Sequence, residues 1–219
     1  MQCIKDTIKN INIVIGCNIG CSYCYARMNN NRFHTIDDFN KPVFFENKLK
    51  MLDNKRYTAY LLTGQSDLSG WNEEWKDKVF SKMKENENTQ YIFLTKRPEN
   101  INLKETPDNG WFGVTVTSSK EKTRIDYLRN NIKAKHYHIT FEPMFDDVGK
   151  LDLNNISWIV IGTETGNRKG KISSKREWVF NIYNQAKEKN IPVFMKEDLL
   201  GILNEDEFVQ EFPKEFGEI

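Results

Sequence analysis

Seven short runs of apolar, β-branched and aromatic residues recur along the chain, and their spacing restricts its fold more than any other feature. They are INIVI (11–15), AYLLT (59–63), QYIFLT (90–95), WFGVTV (111–116), YHITF (137–141), WIVIG (158–162) and PVFMK (192–196). Runs that are apolar along their whole length suit strands buried on both faces. Between most of them lie segments of helical period. Trp71, Trp75, Val79 and Met83 share one helix face, and Trp178, Ile182 and Ala186 repeat that spacing before Pro192 opens the last strand. Strands alternating with amphipathic helices predict an α/β fold with a parallel sheet. Six to seven strands are too few for a closed eight-stranded barrel, so an incomplete, partial parallel β/α barrel is expected.

The 219 residues suffice for one core, and no Pro/Gly/Ser linker, internal repeat or low-complexity block divides them. A single domain over 1–219 is expected, with 198–219 as a C-terminal extension. The Asn-rich stretch 28–40 reads as a loop, with Asp37 or Asp38 as a capping residue, and 104–110 as a turn-rich connection. Lys and Arg (32) nearly balance Asp and Glu (31), so a net charge of +1 gives no global field for nucleic acid or membrane, and any such contact must be local. No run approaches the length of a membrane span, and the N-terminal MQCIKDTIKN has no signal-peptide pattern. A soluble, cytoplasmic protein is expected.

Ligands of parallel α/β folds sit at the carboxyl ends of the strands. There the sequence places Thr63, Gly64, Gln65, Ser66 and Asp67, then Thr95, Lys96 and Arg97, then Thr115, Thr117 and Ser118. Glu142, Gly162, Glu164 and Lys196 follow. Each has an ordinary reading as a cap or a solvated loop charge. Together they predict a polar pocket over the sheet.

Three of the four cysteines, Cys17, Cys21 and Cys24, lie within IGCNIGCSYCYAR (15–27), directly after the first expected strand. In a reducing compartment, clustered thiols are metal ligands or catalytic groups sooner than disulfides. Structural zinc needs a fourth ligand, and Cys3, His34, His136 and His138 form no second half-site. His136 and His138 read as core or sheet-face residues, and Cys3 as buried filler. Three thiolates match an iron–sulfur cubane with one open iron. Gly16 and Gly20 allow close backbone approach, and Tyr23 and Tyr25 offer shielding.

The C-x3-C-x2-C spacing, with Tyr23 just before the last cysteine and β/α repeats after it, resembles the cluster motif of the radical S-adenosylmethionine superfamily. A narrower resemblance, carried by GCSYCYAR, TGQSDL, FLTKRP, WFGVTV, FEPM, WIVIGTETG and IPVFMK, is to small radical-SAM-like proteins of phages and mobile elements, whose first cysteine is often spaced further from the second.

The superfamily resemblance implies a radical-SAM core in which Cys17, Cys21 and Cys24 bind a [4Fe-4S] cluster. S-adenosyl-L-methionine would chelate its open iron and be cleaved reductively to a 5′-deoxyadenosyl radical that abstracts hydrogen from a substrate. It places Tyr23 and Gly162 near the adenine, Lys96 at the methionine carboxylate, and Thr115, Thr117 or Ser118 at the ribose. Thr63-Gly64-Gln65 stands where the family often has Gly-Gly-Glu for the methionine amino group. The glutamate is absent, and Gln65, Ser66 or Asp67 is left to accept from that group.

The remaining charged residues, Glu142, Glu164, Arg168 and Lys196, are the candidate catalytic residues lining the substrate space. A flavodoxin- or ferredoxin-type electron donor and a small-molecule or nucleotide-like substrate are implied. The basic stretch Arg168-Lys169-Gly170-Lys171, with Lys175 and Arg176, is either a phosphate site or a solvated loop. Two other classes stand beside this one: a non-catalytic iron–sulfur redox or iron sensor, and a zinc-stabilised nucleic-acid-binding module.

Overall fold

A computed structural model of the chain describes residues 2–54 and 56–217. In chain order the elements are α1 (Ile4–Thr7), β1 (Ile8–Asn10), β2 (Val14–Ile15), α2 (Tyr25–Phe33), β3 (Val43–Phe44), β4 (Ala59–Leu61), α3 (Glu73–Lys84) and β5 (Gln90–Thr95). They continue with β6 (Gly110–Thr115), α4 (Thr123–Asn131), β7 (His136–Phe141), β8 (Ile156–Ile161), α5 (Arg176–Glu188) and β9 (Val193–Met195). Seven strands form one parallel sheet in the order β1-β4-β5-β6-β7-β8-β9, curled into an open half-barrel.

Period-2 alternation divides the sheet's side chains between two faces. Tyr91, Phe93, Phe112, Val114, Ile139, Phe141, Ile159 and Ile161 point into the larger core, which the helices cover through Val79, Met83, Leu128, Val179 and Ile182. Ile8, Ala59, Ile92, Trp111, Trp158, Val160 and Phe194 point the other way and pack with Phe216. The segment after β9 therefore has a packing role: Met195 and Val209 share a backbone bond along the β9 edge, and Phe212 and Phe216 lie on Trp158. It fills the inner face at the amino ends of the strands. The last two residues of the expected 198–219 extension lie outside the described residues.

Four local expectations are corrected. Only Ile8–Asn10 enters the parallel sheet, paired with Ala59–Leu61, whereas Val14–Ile15 turns away and pairs antiparallel with Val43–Phe44. The run INIVI thus does not form one strand, because the chain leaves the sheet edge after Asn10. Within 28–40, residues 28–33 are helix, the end of α2. Asparagine lowers helix propensity, but Asn30 is used to close the helix end: its side chain bonds both the N–H and the carbonyl of Ile36 at 3.0 Å, and His34 takes the left-handed cap conformation. Asp38 is the capping residue in the rest of the stretch, accepting from Asn40 N–H at 2.9 Å. Trp71 precedes α3, which starts after the Asn72 cap, and its indole N–H donates to Ser66 Oγ at 3.0 Å. Cys3 is half-buried and donates its thiol proton to Glu197 Oε1 at 3.0 Å, so it is not apolar filler.

Candidate functional site

The ends of β4, β5 and β7 meet the cysteine loop. Gly16 N–H donates to Gln65 O at 3.0 Å, and the Tyr25 hydroxyl to Gly64 O at 2.5 Å, tying both sides of the loop to the end of β4. Lys96 lies 5.7 Å over the Tyr23 ring, whose edge meets Phe145 beyond β7 at 5.5 Å. The loop's shape follows from its sequence: Gly16 and Gly20 have φ of 114° and 78°, and a Cβ on Gly16 would strike Pro42 Cα at 2.8 Å. Arg27, one turn into α2, donates to Cys17 O at 2.8 Å and to Asn40 Oδ1 at 3.0 Å.

All four cysteines are free thiols. Cys24 caps α2, its sulfur accepting from Arg27 N–H at 3.4 Å. Burial pushes the Cys17 thiol up to about 11, with Asp67, Cys21 and Cys24 adding to the effect. Burial, then the nearby Cys21, also raises the Tyr23 phenol. Cys17 thus resists becoming a thiolate unless a cation is bound beside it. Among the described residues no three His, Cys, Asp or Glu converge as a single metal ion would need. A cubane makes a different demand, one thiolate to each of three irons, and Cys17, Cys21 and Cys24 would supply three thiols from one loop. Two further observations agree with a ligand here. Gly64 forms a cradle in which a Cβ would meet Asn12 Oδ1 at 3.0 Å and Asn10 Nδ2 at 3.1 Å, and Asn12 Oδ1 is buried without a hydrogen bond among the described residues.

Several expected cofactor residues are committed elsewhere. Asp67 accepts from Ser69 N–H and Oγ at 3.0 and 2.7 Å, from Thr95 Oγ1 at 2.7 Å and from Lys96 N–H at 2.8 Å, which makes it the brace of its loop. Ser66 accepts from Trp71. Gln65 is half-buried and makes no side-chain hydrogen bond among the described residues. Thr117 donates its hydroxyl to Glu121 at 2.8 Å, and Arg124 bridges Glu121 and Thr115 O, both at 2.8 Å. Ser118 has no side-chain cap bond.

The four catalytic candidates separate into two ion pairs. Lys196 pairs with Glu142 and lies 3.2 Å from Asp198, a third member that the sequence reading does not single out although it follows Lys196 by two residues. Gly162 makes room for them, since a Cβ there would meet Asp198 Oδ1 at 3.1 Å, Lys196 Cδ at 3.1 Å and Glu142 Cδ at 3.2 Å. Burial raises the Glu142 carboxyl, with Lys196 opposing, while the two carboxylates together hold the Lys196 ammonium above its ordinary value. Glu164 and Arg168 form the other pair, at 2.5 and 2.8 Å, which holds the Glu164 carboxyl below the usual range. Tyr25 feels Cys24, Glu142 and Lys196, so the first of these pairs stands beside the cysteine loop. A shallow depression of about 480 Å³ lined by Glu105, Asp108, Lys133 and Tyr137 lies at the opposite end of the strands.

The fold and site define an α/β half-barrel with a three-cysteine loop laid across the carboxyl ends of its parallel strands. The chain belongs to the family described as "Protein of unknown function (DUF5131)", whose profile matches residues 2–218. It is also 35% identical over 98 residues to Lipase 1 of Staphylococcus aureus strains N315, COL and MW2, a match covering 44% of this chain and 14% of each lipase. The chain therefore spans a small part of those relatives, and it contains no Gly-x-Ser-x-Gly nucleophile elbow. No solved structure matches.

Proposed function

We propose that this protein is a compact radical S-adenosylmethionine enzyme whose [4Fe-4S] cluster would be held by Cys17, Cys21 and Cys24. The observation that carries the reading is the position of those free thiols, on one loop bonded to the carboxyl end of β4 and facing the polar ends of β5, β7 and β9. When bound, the cluster and S-adenosylmethionine supply a carbon-centred radical for hydrogen abstraction.

The chain's own residues then have separable tasks. Gln65 offers an uncommitted amide oxygen to an ammonium, and Lys96 offers a cation beside Tyr23. Tyr23 screens the loop from water. Lys196 keeps its proton on Nζ between Glu142 and Asp198, so it acts as a fixed cation and hydrogen-bond donor rather than a nucleophile. Glu164 and Arg168 neutralise each other and shape the wall.

Anaerobic reconstitution is expected to load about four irons and four sulfides per chain. Reduction in the presence of S-adenosylmethionine should then release 5′-deoxyadenosine. Folded, fully loaded protein that binds S-adenosylmethionine and yet never cleaves it would refute the enzymatic reading. A cluster-bearing sensor draws support from the extent to which the strand-end charges pair with one another, and calorimetry separates the two: a sensor gives no heat of binding with S-adenosylmethionine.

A further inference from the structure

Residues 165–176, running from beyond β8 to the first residue of α5, include Arg168, Lys169, Lys171, Lys175 and Arg176 and no acidic residue, in a chain whose net charge is +1. The structure divides these five by role. Arg168 is spent on Glu164 and Arg176 on Glu207. Lys169, Lys171 and Lys175 are exposed. Lys171 makes a long 3.4 Å bond to Gly166 O and lies within the field of Glu164, and Lys175 lies 5.3 Å over the Trp178 ring.

The loop that presents these lysines is pinned. Ser174 N–H and Oγ both bond Thr163 Oγ1 at 3.0 Å, Ile172 N–H bonds Glu164 Oε2 at 3.3 Å, and Gly166 and Gly170 turn the chain with φ of 79° and 76°. Glu164 is 3% exposed, and burying a carboxylate is costly. Spending it to brace an exposed basic tip is unexpected for a loop that merely floats in solvent. Across the ends of β7 and β9 stands Tyr25, the first residue of α2. That helix carries two arginines and no acidic residue, and its exposed side includes Tyr25 at 51%, Met28 at 56% and Phe33 at 64%, with Arg32 5.1 Å over the Phe33 ring. Exposed lysines on a loop with a pinned backbone, together with exposed aromatic faces on α2, are what a flexible polyanion with stacking bases requires.

We infer that this rim binds single-stranded nucleic acid, with phosphates on Lys169, Lys171 and Lys175 and bases against the exposed face of α2. The inference does not rest on the cluster, so it is tested on the full chain without added iron. Fluorescence anisotropy with labelled DNA and RNA strands of about 20 nucleotides, read across a salt series, is expected to show binding that weakens as salt rises. Replacing the three lysines with alanine should lower the slope of log K against log salt by about 2. Replacing them with glutamate should cost at least about tenfold in affinity, and Phe33→Ala about tenfold without changing the slope. The triple variant K104E/K133E/K135E, which alters charge equally at the other end of the strands, should bind as the parent does.

Absence of salt-dependent binding, or an equal loss in that control, would overturn the proposal. Equal affinity for a duplex would remove the single-strand assignment, equal affinity for polyglutamate would point to an acidic protein instead, and displacement by free nucleotide at oligomer-like concentration would point to a mononucleotide site. The DNA and RNA arms identify which strand is preferred.

Discussion

His138 shows how a single buried group sets a response to acid. Its ring lies against Gly113, where any Cβ would collide with it; Nε2 donates to Phe93 O at 3.0 Å, and Nδ1 is buried with no hydrogen-bond partner among the described residues. Burial therefore pushes the imidazole from 6.5 down to about 4. In the window between, the unfolded chain takes up a proton that the folded protein refuses, so stability is full above that window and drains as pH falls through it. The gap corresponds to about 3 kcal/mol. Thermal unfolding followed from about pH 7 to about pH 4 should show this loss, and His138→Gln should remove its share. Lys196 is the second case. Removing it as Lys196→Met leaves Glu142 and Asp198 facing each other, and a deficit of about 3 kcal/mol against the parent is expected near neutrality, at the low end for breaking a buried pair. Glu142 keeps 29% of its side-chain exposure, which is why the low end applies. Its carboxyl is already raised in the folded protein, so its contribution is present at low pH and lost as pH rises. The deficit of the variant should accordingly shrink on acidification, as denaturant midpoints at two pH values would show.

At the scale of elements, α2 joins structure to proposed chemistry through one atom. Cys24 Sγ caps the helix by accepting from Arg27 N–H, and the same sulfur is an expected cluster ligand. Serine is a strong N-cap, so Cys24→Ser should leave the iron-free protein as stable or more stable by about 0.5 kcal/mol. Iron and sulfide loading should nevertheless be lost. A variant that melts early without iron would show instead that the thiol is needed for packing in the small cluster of Ile15, Ala26, Ile36 and Phe39.

For the molecule as a whole, the open half-barrel has an inner face that its helices cannot cover, and the chain's end covers it. Phe216 is 1% exposed among Trp111, Trp158 and Phe194, and Thr58 Oγ1 bonds its carbonyl. Phe216→Ala should cost about 3 kcal/mol or more, the range for deleting a buried phenylalanine, with a fall in the denaturant midpoint at constant slope. Tryptophan fluorescence should report the same site, since Trp111 and Trp158 would gain water. Among the described residues no helix is long and apolar enough to cross a membrane.

The sequence by itself determined the parallel sheet: runs such as QYIFLT and YHITF are too apolar to tolerate water on either face, and that constraint survives any detail of packing. It also determined the cysteine loop, since glycine spacing and thiol number are local properties. Its errors fell where neighbours in space outweigh neighbours in sequence. Asn30 closes the helix of an unpromising segment by bonding Ile36, and INIVI gives only its last two residues to a strand, paired with Val43–Phe44 outside the parallel sheet, because the edge strand ends at Asn10. Which charges stand free was likewise beyond its reach. Glu142, Glu164, Arg168 and Lys196 look alike as isolated letters, and only the folded chain pairs Glu142 with Lys196 and Asp198, sets Glu164 against Arg168, and leaves three lysines exposed. The physical reason is range: hydrophobic period and backbone conformation act over a few residues of chain, whereas ion pairing depends on distances that exist only after the strands have been brought side by side.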